Sequence, residues 1–91
     1  MARILLVDDD RSLLELLGDY LGRLGHEVVA VTDGNRALAT LASSPPDLVV
    51  LDVTMPGLDG WRVLARIRAE SRVPVIMLTA RADEPDVLRG F

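Results

Sequence analysis

The chain of 91 residues contains no cysteine and no lysine, and only three of its residues are aromatic. The absence of cysteine excludes disulfides, thiolate metal sites and cysteine nucleophiles. Because aromatic residues are so few, leucine, valine, isoleucine and alanine must fill the core of what we expect to be a single domain. All ten basic residues are arginine, so these residues cannot supply any chemistry that needs a lysine amine.

The sequence also lacks a basic surface and a long apolar run. Its formal net charge is −4 and its isoelectric point is about 4.7, whereas non-specific nucleic-acid binding depends on a basic footprint. No apolar run approaches the roughly 18 residues that a membrane-spanning helix needs, and the amino terminus has no signal-peptide pattern. We therefore expect a soluble, cytoplasmic protein whose residues 1–91 bind neither nucleic acid nor a membrane directly.

What the sequence does contain is an alternation of short apolar runs with segments of helical periodicity. The runs show little polar alternation, which is typical of strands that are buried on both faces of a sheet. They span residues 4–7, 28–31, 47–52 and 73–78. Helices are predicted near residues 13–24, 37–42 and 61–67, and from residue 83 onward. The resulting order β-α-β-α-β-α-β-α predicts a parallel α/β sheet with helices on both faces.

Acidic residues and one hydroxyl lie at the carboxyl ends of the predicted strands. Asp8 and Asp9 come directly after the first strand, Asp52 ends the third, and Thr79 ends the fourth. Ligands of open α/β sheets bind outside the carboxyl ends of the strands, where the strand order reverses. If strands 1 and 3 are neighbours, as in the order 2-1-3-4-5, the three carboxylates converge there.

Three converging carboxylates repel one another strongly. Unit charges about 4–5 Å apart repel by roughly 3–4 kcal/mol at an effective dielectric constant of 20. Three such pairs cost on the order of 10 kcal/mol, which is comparable to the stability of a whole domain. The cluster therefore needs a cation or must be partly protonated. Mg²⁺ fits such a site, because it is a hard divalent ion that is usually held by one or two carboxylates, water and a phosphate group.

A single aspartate after a strand is more often a helix cap or a turn residue than a ligand. Asp10 fits a structural role of this kind at the start of the first helix. Other aspartates that fit caps or turns are Asp33, Asp47 and Asp59. Considered one at a time, the acids at the strand ends also fit structural roles, but acids at two strand ends together with a hydroxyl at a third favour a functional site. His26, the only histidine, is predicted to lie on the solvated surface.

Three segments resemble the receiver domains of bacterial two-component response regulators. Residues 4–10 resemble the first strand and acidic pair, residues 48–60 the phosphoacceptor strand and its loop, and residues 74–80 the strand with the switch hydroxyl. The resemblance covers all 91 residues. It implies a flavodoxin-like, doubly wound parallel sheet of order 2-1-3-4 and a single receiver domain over residues 1–91.

The resemblance also implies a role for each site residue. Asp52 would be the phosphoacceptor, taking a phosphoryl group from a sensor histidine kinase. Asp8 and Asp9 would bind Mg²⁺, Asp9 directly and Asp8 partly through water, with Asp52 and the backbone carbonyl of Thr54 as further ligands. Thr79 would turn its hydroxyl to the phosphoryl group. The protein would then be a signalling switch rather than an enzyme, and its output would include transcription regulation.

The sequence departs from the family pattern at its carboxyl end. Family members continue with a fifth strand that ends in a lysine and with a fifth helix, and residues 1–91 contain neither element. We therefore expect a receiver domain that is incomplete at its C-terminus. The fourth strand would then be a sheet edge, so we expect the chain to form a homo-oligomer through residues 75–78.

Two alternative functions remain open from the sequence alone. The first is a phosphohydrolase of the haloacid dehalogenase type, with Asp8 and Asp10 as the catalytic pair. Arg11 and Ser12 stand where that family has a Gly-Thr turn, and the lysine it requires is absent. The second alternative is an interaction module that keeps the acidic pocket and works without phosphorylation.

Overall fold

The computed structural model describes residues 1–52 and 60–78, which form four parallel strands and three helices. The elements in chain order are β1 (Arg3–Val7), α1 (Arg11–Arg23), β2 (Glu27–Val31), α2 (Gly34–Ser43), β3 (Leu48–Asp52), α3 (Gly60–Glu70) and β4 (Val75–Leu78). The sheet order is β2-β1-β3-β4, and every neighbouring pair is parallel. This order confirms the predicted arrangement 2-1-3-4.

The alternating side chains of the strands form a core on each face of the sheet. On one face they pack against α2 and α3, in a cluster of ten buried residues: Leu5, Val7, Ala37, Leu41, Val49, Leu51, Val63, Ile67, Val75 and Met77. On the other face Ile4 and Leu6 pack against Leu14 of α1. Because consecutive strand residues point to opposite faces, an unbroken apolar run serves both layers.

The strand register places the carboxyl ends of β1 and β3 side by side. Val7, the last residue of β1, pairs with Leu51 of β3. Asp8 and Asp52 each follow one member of this pair along the chain. Asp52 itself pairs with Leu78, the last residue of β4. Three strand ends therefore lie at one edge of the sheet, which is where ligands of this architecture bind.

Capping residues set where α1 and α2 begin, and a glycine follows the end of α1. Asp10 and Asp33 are the N-caps, and their Oδ1 atoms accept hydrogen bonds from the N–H groups of Leu13 at 3.1 Å and Arg36 at 2.8 Å. This confirms the structural role predicted for both aspartates. Gly25, just beyond α1, has φ +93°, a left-handed conformation that only glycine adopts at little cost.

β4 is shorter than the apolar run from residue 73 predicted. The strand begins at Val75, because the N–H of Val73 donates to Ser71 Oγ at 3.1 Å and Pro74 has no N–H to donate. The carbonyl of Pro74 still accepts a hydrogen bond from the N–H of Val49 at 2.9 Å. The helix predicted from residue 83 lies outside the described residues. Among the helices that are described, none has the length and apolar character needed to cross a membrane.

Candidate metal centre

The carboxyl-terminal end of the sheet, where β1, β3 and β4 end, carries a cluster of three carboxylates. Asp8 follows β1, Asp9 is the next residue, and Asp52 is the last residue of β3. One carboxylate oxygen from each residue can be chosen so that all three atoms lie within 4.8 Å of one another. Two neighbouring strands and the loop after one of them thus bring Asp52 together with two acids that lie 44 and 43 residues earlier in the sequence.

Two of the three acids are withdrawn from solvent. Asp8 is 8% exposed and Asp52 is 7% exposed, whereas Asp9 is exposed. The side chain of Asp8 accepts a hydrogen bond at its Oδ1 atom from the backbone N–H of Asp10 at 2.9 Å. Burial of two carboxylates this close together is costly unless a cation, a proton or hydrogen bonds compensate them.

The surroundings of Asp8 disfavour its ionised form. Burial is the largest influence and raises the pKa of the Asp8 carboxyl above its ordinary value. The hydrogen bond from the Asp10 amide acts in the opposite direction. The negative charges of Asp52, Asp9 and Asp10 raise the pKa of Asp8 further. A cation in the cluster would reverse this balance, because it stabilises the ionised carboxylates that bind it.

Asp10 has a different place in the structure from the three clustered acids. Its side chain caps α1 rather than joining the group of carboxylate oxygens that lie within 4.8 Å of one another. The contribution of its backbone N–H to Asp8 is something that the sequence analysis missed. No sequence signal distinguishes this bond from ordinary capping, because it depends on how the chain turns between β1 and α1.

The remaining residues singled out in the sequence are Thr54, Thr79 and His26. Thr54 and Thr79 lie outside the described residues, although Thr79 follows Leu78, which pairs with Asp52. His26, which was expected on the solvated surface, is half-buried, and its Nδ1 atom accepts a hydrogen bond from the N–H of Ala2 at 3.1 Å. His26 begins the segment that leads into β2, at the amino-terminal end of the strands, so it is not part of the acidic cluster.

The donor set of the cluster matches a hard divalent cation. Three carboxylates supply only oxygen ligands, which Mg²⁺ and Ca²⁺ prefer, and the described residues include no cysteine or histidine among the clustered groups. A site in which one ligand is exposed leaves room for water and for an anionic group. Asp52 is also a carboxylate that can act as a nucleophile toward a phosphoryl group.

Comparison with protein families gives a match over almost the whole chain. The family described as "Response regulator receiver domain" matches residues 4–91. The chain is 47% identical over 89 residues to the "Probable transcriptional regulator ycf27" of Cyanophora paradoxa, covering 98% of this chain and 37% of that protein. It is 46% identical over 89 residues to the "DNA-binding response regulator MtrA" of Mycobacterium tuberculosis, covering 98% of this chain and 39% of MtrA. The chain therefore spans less than half the length of these relatives.

Solved structures of receiver domains have the same fold. The N-terminal domain of a response regulator receiver protein from Methanoculleus marisnigri superposes with a TM-score of 0.90 at 35% identity, covering 98% of this chain and 75% of that one. TrrA of Thermotoga maritima, solved in complex with Mg²⁺ and BeF, gives a TM-score of 0.87 at 38% identity, covering 97% of this chain and 77% of TrrA. Neither the phosphohydrolase nor the phosphorylation-independent module is favoured by these similarities.

Proposed function

Because this chain belongs to the response regulator receiver domain family, we propose that Asp52 is the residue that accepts the phosphoryl group. The single observation that carries this proposal is the convergence of Asp52 with Asp8 and Asp9, whose carboxylate oxygens lie within 4.8 Å of one another at the end of β3. Receiver domains are signalling switches of two-component systems. A sensor histidine kinase is the corresponding phosphodonor that we propose for this chain.

We propose that the same cluster holds Mg²⁺. Asp9 would hold the ion directly and Asp8 partly through water, and Asp52 and the backbone carbonyl of Thr54 would be the further protein ligands. When bound there, the cation would supply neutralisation of negative charge on the carboxylates and on the incoming phosphoryl oxygens. Asp9 is exposed, whereas Asp8 and Asp52 are buried. This difference supports Asp9 as the direct ligand, because a hydrated ion reaches an exposed carboxylate more easily.

The chain itself contributes positioning and a nucleophile to phosphoryl transfer. A carboxylate oxygen of Asp52 attacks phosphorus, a new O–P bond forms, and the bond between phosphorus and the donor breaks with its electron pair leaving on the donor. Such transfers depend on alignment and charge neutralisation more than on covalent assistance. The packed β3 strand supplies the alignment, since Leu51, next to the acid, and Val49, earlier in the same strand, are fully buried.

The phosphoryl group changes the charge and hydrogen bonding at this edge. It adds about −1.5 to −2 charges and three strong acceptor oxygens. We propose that the hydroxyl of Thr79 donates to one of these oxygens and that this contact shifts the protein between two conformations. The pairing of Leu78, the preceding residue, with Asp52 supports this role for Thr79.

The output of the switch is also a proposal, because the relatives are longer than this chain. MtrA is described as DNA-binding, and 98% of this chain aligns with 39% of it. We propose that this receiver controls transcription through a separate output domain. Residues 1–91 carry a net negative charge and would not contact DNA themselves. A cytoplasmic location stays a prediction from the sequence.

We further propose that a polypeptide consisting only of residues 1–91 self-associates through β4. In the described sheet, β4 lies at one edge and pairs with β3. An edge strand with apolar side chains and no lysine is a template for pairing with another chain. Light scattering at micromolar concentration tests this proposal. A dimer supports it, and a folded monomer contradicts it.

Beryllofluoride, which mimics a phosphoryl group on a carboxylate, gives a direct test of the proposed function. We expect Mg²⁺ with beryllofluoride to raise the melting temperature more than Mg²⁺ alone, because a ligand that binds only the folded state stabilises it. Asp52→Asn should remove the beryllofluoride increment. An increment of equal size in Asp52→Asn would place the acceptor elsewhere, and no increment in the parent would favour the module that works without phosphorylation.

A further inference from the structure

The structure connects the carboxylate of Asp8 to the protein core through Asp10. The backbone N–H of Asp10 donates to Asp8 Oδ1 at 2.9 Å. The Oδ1 atom of Asp10 accepts from the N–H of Leu13 at 3.1 Å, and its carbonyl accepts from the N–H of Leu14 at 3.1 Å. Leu14 is 6% exposed and packs in the core between α1 and the sheet. Asp10 is therefore fixed at three atoms, one of which holds Asp8.

We propose that Asp10 is a positioning residue for the metal centre: by capping α1, it holds its own N–H against Asp8 Oδ1 and so fixes the orientation of the Asp8 carboxylate. This inference rests on the proposed Mg²⁺ site and adds a residue that is not one of its ligands. The bond restrains rotation of the Asp8 carboxylate about its Cβ–Cγ bond. The other ligand atoms then meet a carboxylate that is already oriented.

The backbone of Asp10 is extended, with φ −85° and ψ 100°, so Asp10 lies outside the helix. Its side chain therefore helps to hold it in place by capping α1. Without the capping oxygen, the N–H of Leu13 loses its partner, and one of the two bonds that tie Asp10 to α1 disappears. The N–H of Asp10 is then free to turn away from Asp8. Groups that orient a metal ligand typically contribute about 10–100-fold to metal affinity.

Charge and geometry must be separated, because Asp10 also carries a negative charge that attracts a cation. Asparagine caps a helix as well as aspartate does but lacks the charge, so Asp10→Asn keeps the geometry and removes the charge. Alanine removes both. Asp33 supplies a matched control: it caps α2 with Oδ1 at 2.8 Å from the N–H of Arg36, and its carbonyl accepts from the N–H of Ala37 at 3.1 Å.

The first experiment measures Mg²⁺ affinity by calorimetry for the parent and the variants Asp10→Ala, Asp10→Asn and Asp33→Ala. We expect Asp10→Ala to bind Mg²⁺ about tenfold more weakly than Asp10→Asn does. Asp33→Ala should bind like the parent, because the charges that act on Asp8 come from Asp52, Asp9 and Asp10. Equal weakening in Asp10→Asn and Asp10→Ala would mean that only charge matters. Equal weakening in Asp33→Ala and Asp10→Ala would mean that loss of any cap has this effect. Either result overturns the proposal.

A second readout needs no metal and separates this inference from the proposed Mg²⁺ site. The backbone amide of residue 10 should exchange slowly with solvent in the parent, in Asp10→Asn and in Asp33→Ala, because it donates to Asp8. In Asp10→Ala the same amide should exchange faster, while amides of β1 keep their rates. If the parent binds no Mg²⁺, the proposed metal site fails, and exchange still decides the role of Asp10. An unchanged exchange rate in Asp10→Ala overturns the inference.

Discussion

Replacement of Asp8 by asparagine should make the metal-free protein more stable at neutral pH. Asp8 and Asp52 are both more than nine-tenths buried, and their nearest ligand oxygens lie within 4.8 Å. Two unit charges at that separation repel by about 3.5 kcal/mol at an effective dielectric constant of 20. Asparagine is nearly the same size, and its carbonyl oxygen can still accept the hydrogen bond from the Asp10 amide.

The net gain should be smaller than the full repulsion, because burying the asparagine amide carries its own desolvation cost. We expect a rise of about 1–3 kcal/mol in the free energy of unfolding. For a domain of this size, 1 kcal/mol corresponds to about 4–8 °C in melting temperature. The exposed Asp9 adds less than Asp52, because solvent screens its charge.

The gain from Asp8→Asn should depend on pH in one direction. Burial raises the pKa of Asp8 in the folded protein above that in the unfolded chain. The folded state therefore holds this proton more tightly, and the contribution of Asp8 to stability falls as pH rises from the unfolded-state pKa through the folded-state pKa. Asparagine removes that contribution. The advantage of the variant should be larger at neutral pH than at acidic pH and should vanish below about pH 4.

Urea unfolding in EDTA at low ionic strength, at pH 7.5 and near pH 3.5, measures both effects. Asp19→Asn is the control, because Asp19 is an exposed aspartate of α1 that pairs with Arg23 at 3.1 Å. We expect this control to change stability little at either pH. An Asp8→Asn variant that is no more stable than the parent at pH 7.5 would refute the reasoning.

Two further predictions concern the metal ligand Asp9 that we propose and the backbone conformation of Gly25. Mg²⁺ at millimolar concentration should raise the melting temperature of the parent but not that of Asp9→Asn, because we propose the exposed acid as the direct ligand. Equal rises in a thermal scan would contradict the proposed ligand. Gly25→Ala should lower the free energy of unfolding by about 1 kcal/mol or more, because residue 25 has φ +93°. Gly22→Ala, at a helical glycine with nothing within 4 Å of an added Cβ, is its control and should be neutral or stabilising. Urea unfolding that shows equal effects in both glycine variants would contradict the strain at residue 25.

Much of the fold could be predicted from the sequence because each apolar run serves two core layers. Residues 4–7 contain no polar position, and the structure buries all four, with Leu5 and Val7 facing α2 and α3 and the other two facing α1. A strand of this kind must lie inside a sheet covered on both faces, which restricts the topology to a few arrangements.

The geometry of the cluster could be predicted only in part. The acids follow strands in the sequence, but the closeness of Asp8 to Asp52 depends on the pairing of Val7 with Leu51. A shift of one residue in that register would separate the acids along the strands. It would also move the side chains of the shifted strand to the opposite face of the sheet. Register is a property of packed strands, and no local pattern in either segment specifies it.

The bonds of His26 and Asp10 could not be predicted because they depend on chain geometry outside the regular elements. His26 meets the N–H of Ala2 only because β1 and β2 are neighbours, with the N–H of Glu27 donating to the Ala2 carbonyl at 2.9 Å. Asp10 was predicted as a structural residue from its position, yet the donation of its amide to Asp8 depends on the turn between β1 and α1.

Intact-mass measurement after treatment with acetyl phosphate and Mg²⁺ tests most directly whether Asp52 is the phosphoacceptor. The parent and Asp19→Asn, which changes an exposed acid away from the cluster, should each gain the mass of one phosphoryl group, and EDTA should prevent the gain. Asp52→Asn should gain nothing under the same conditions, because it has lost the carboxylate oxygen that attacks phosphorus. A phosphoryl adduct of equal yield on Asp52→Asn would contradict the account.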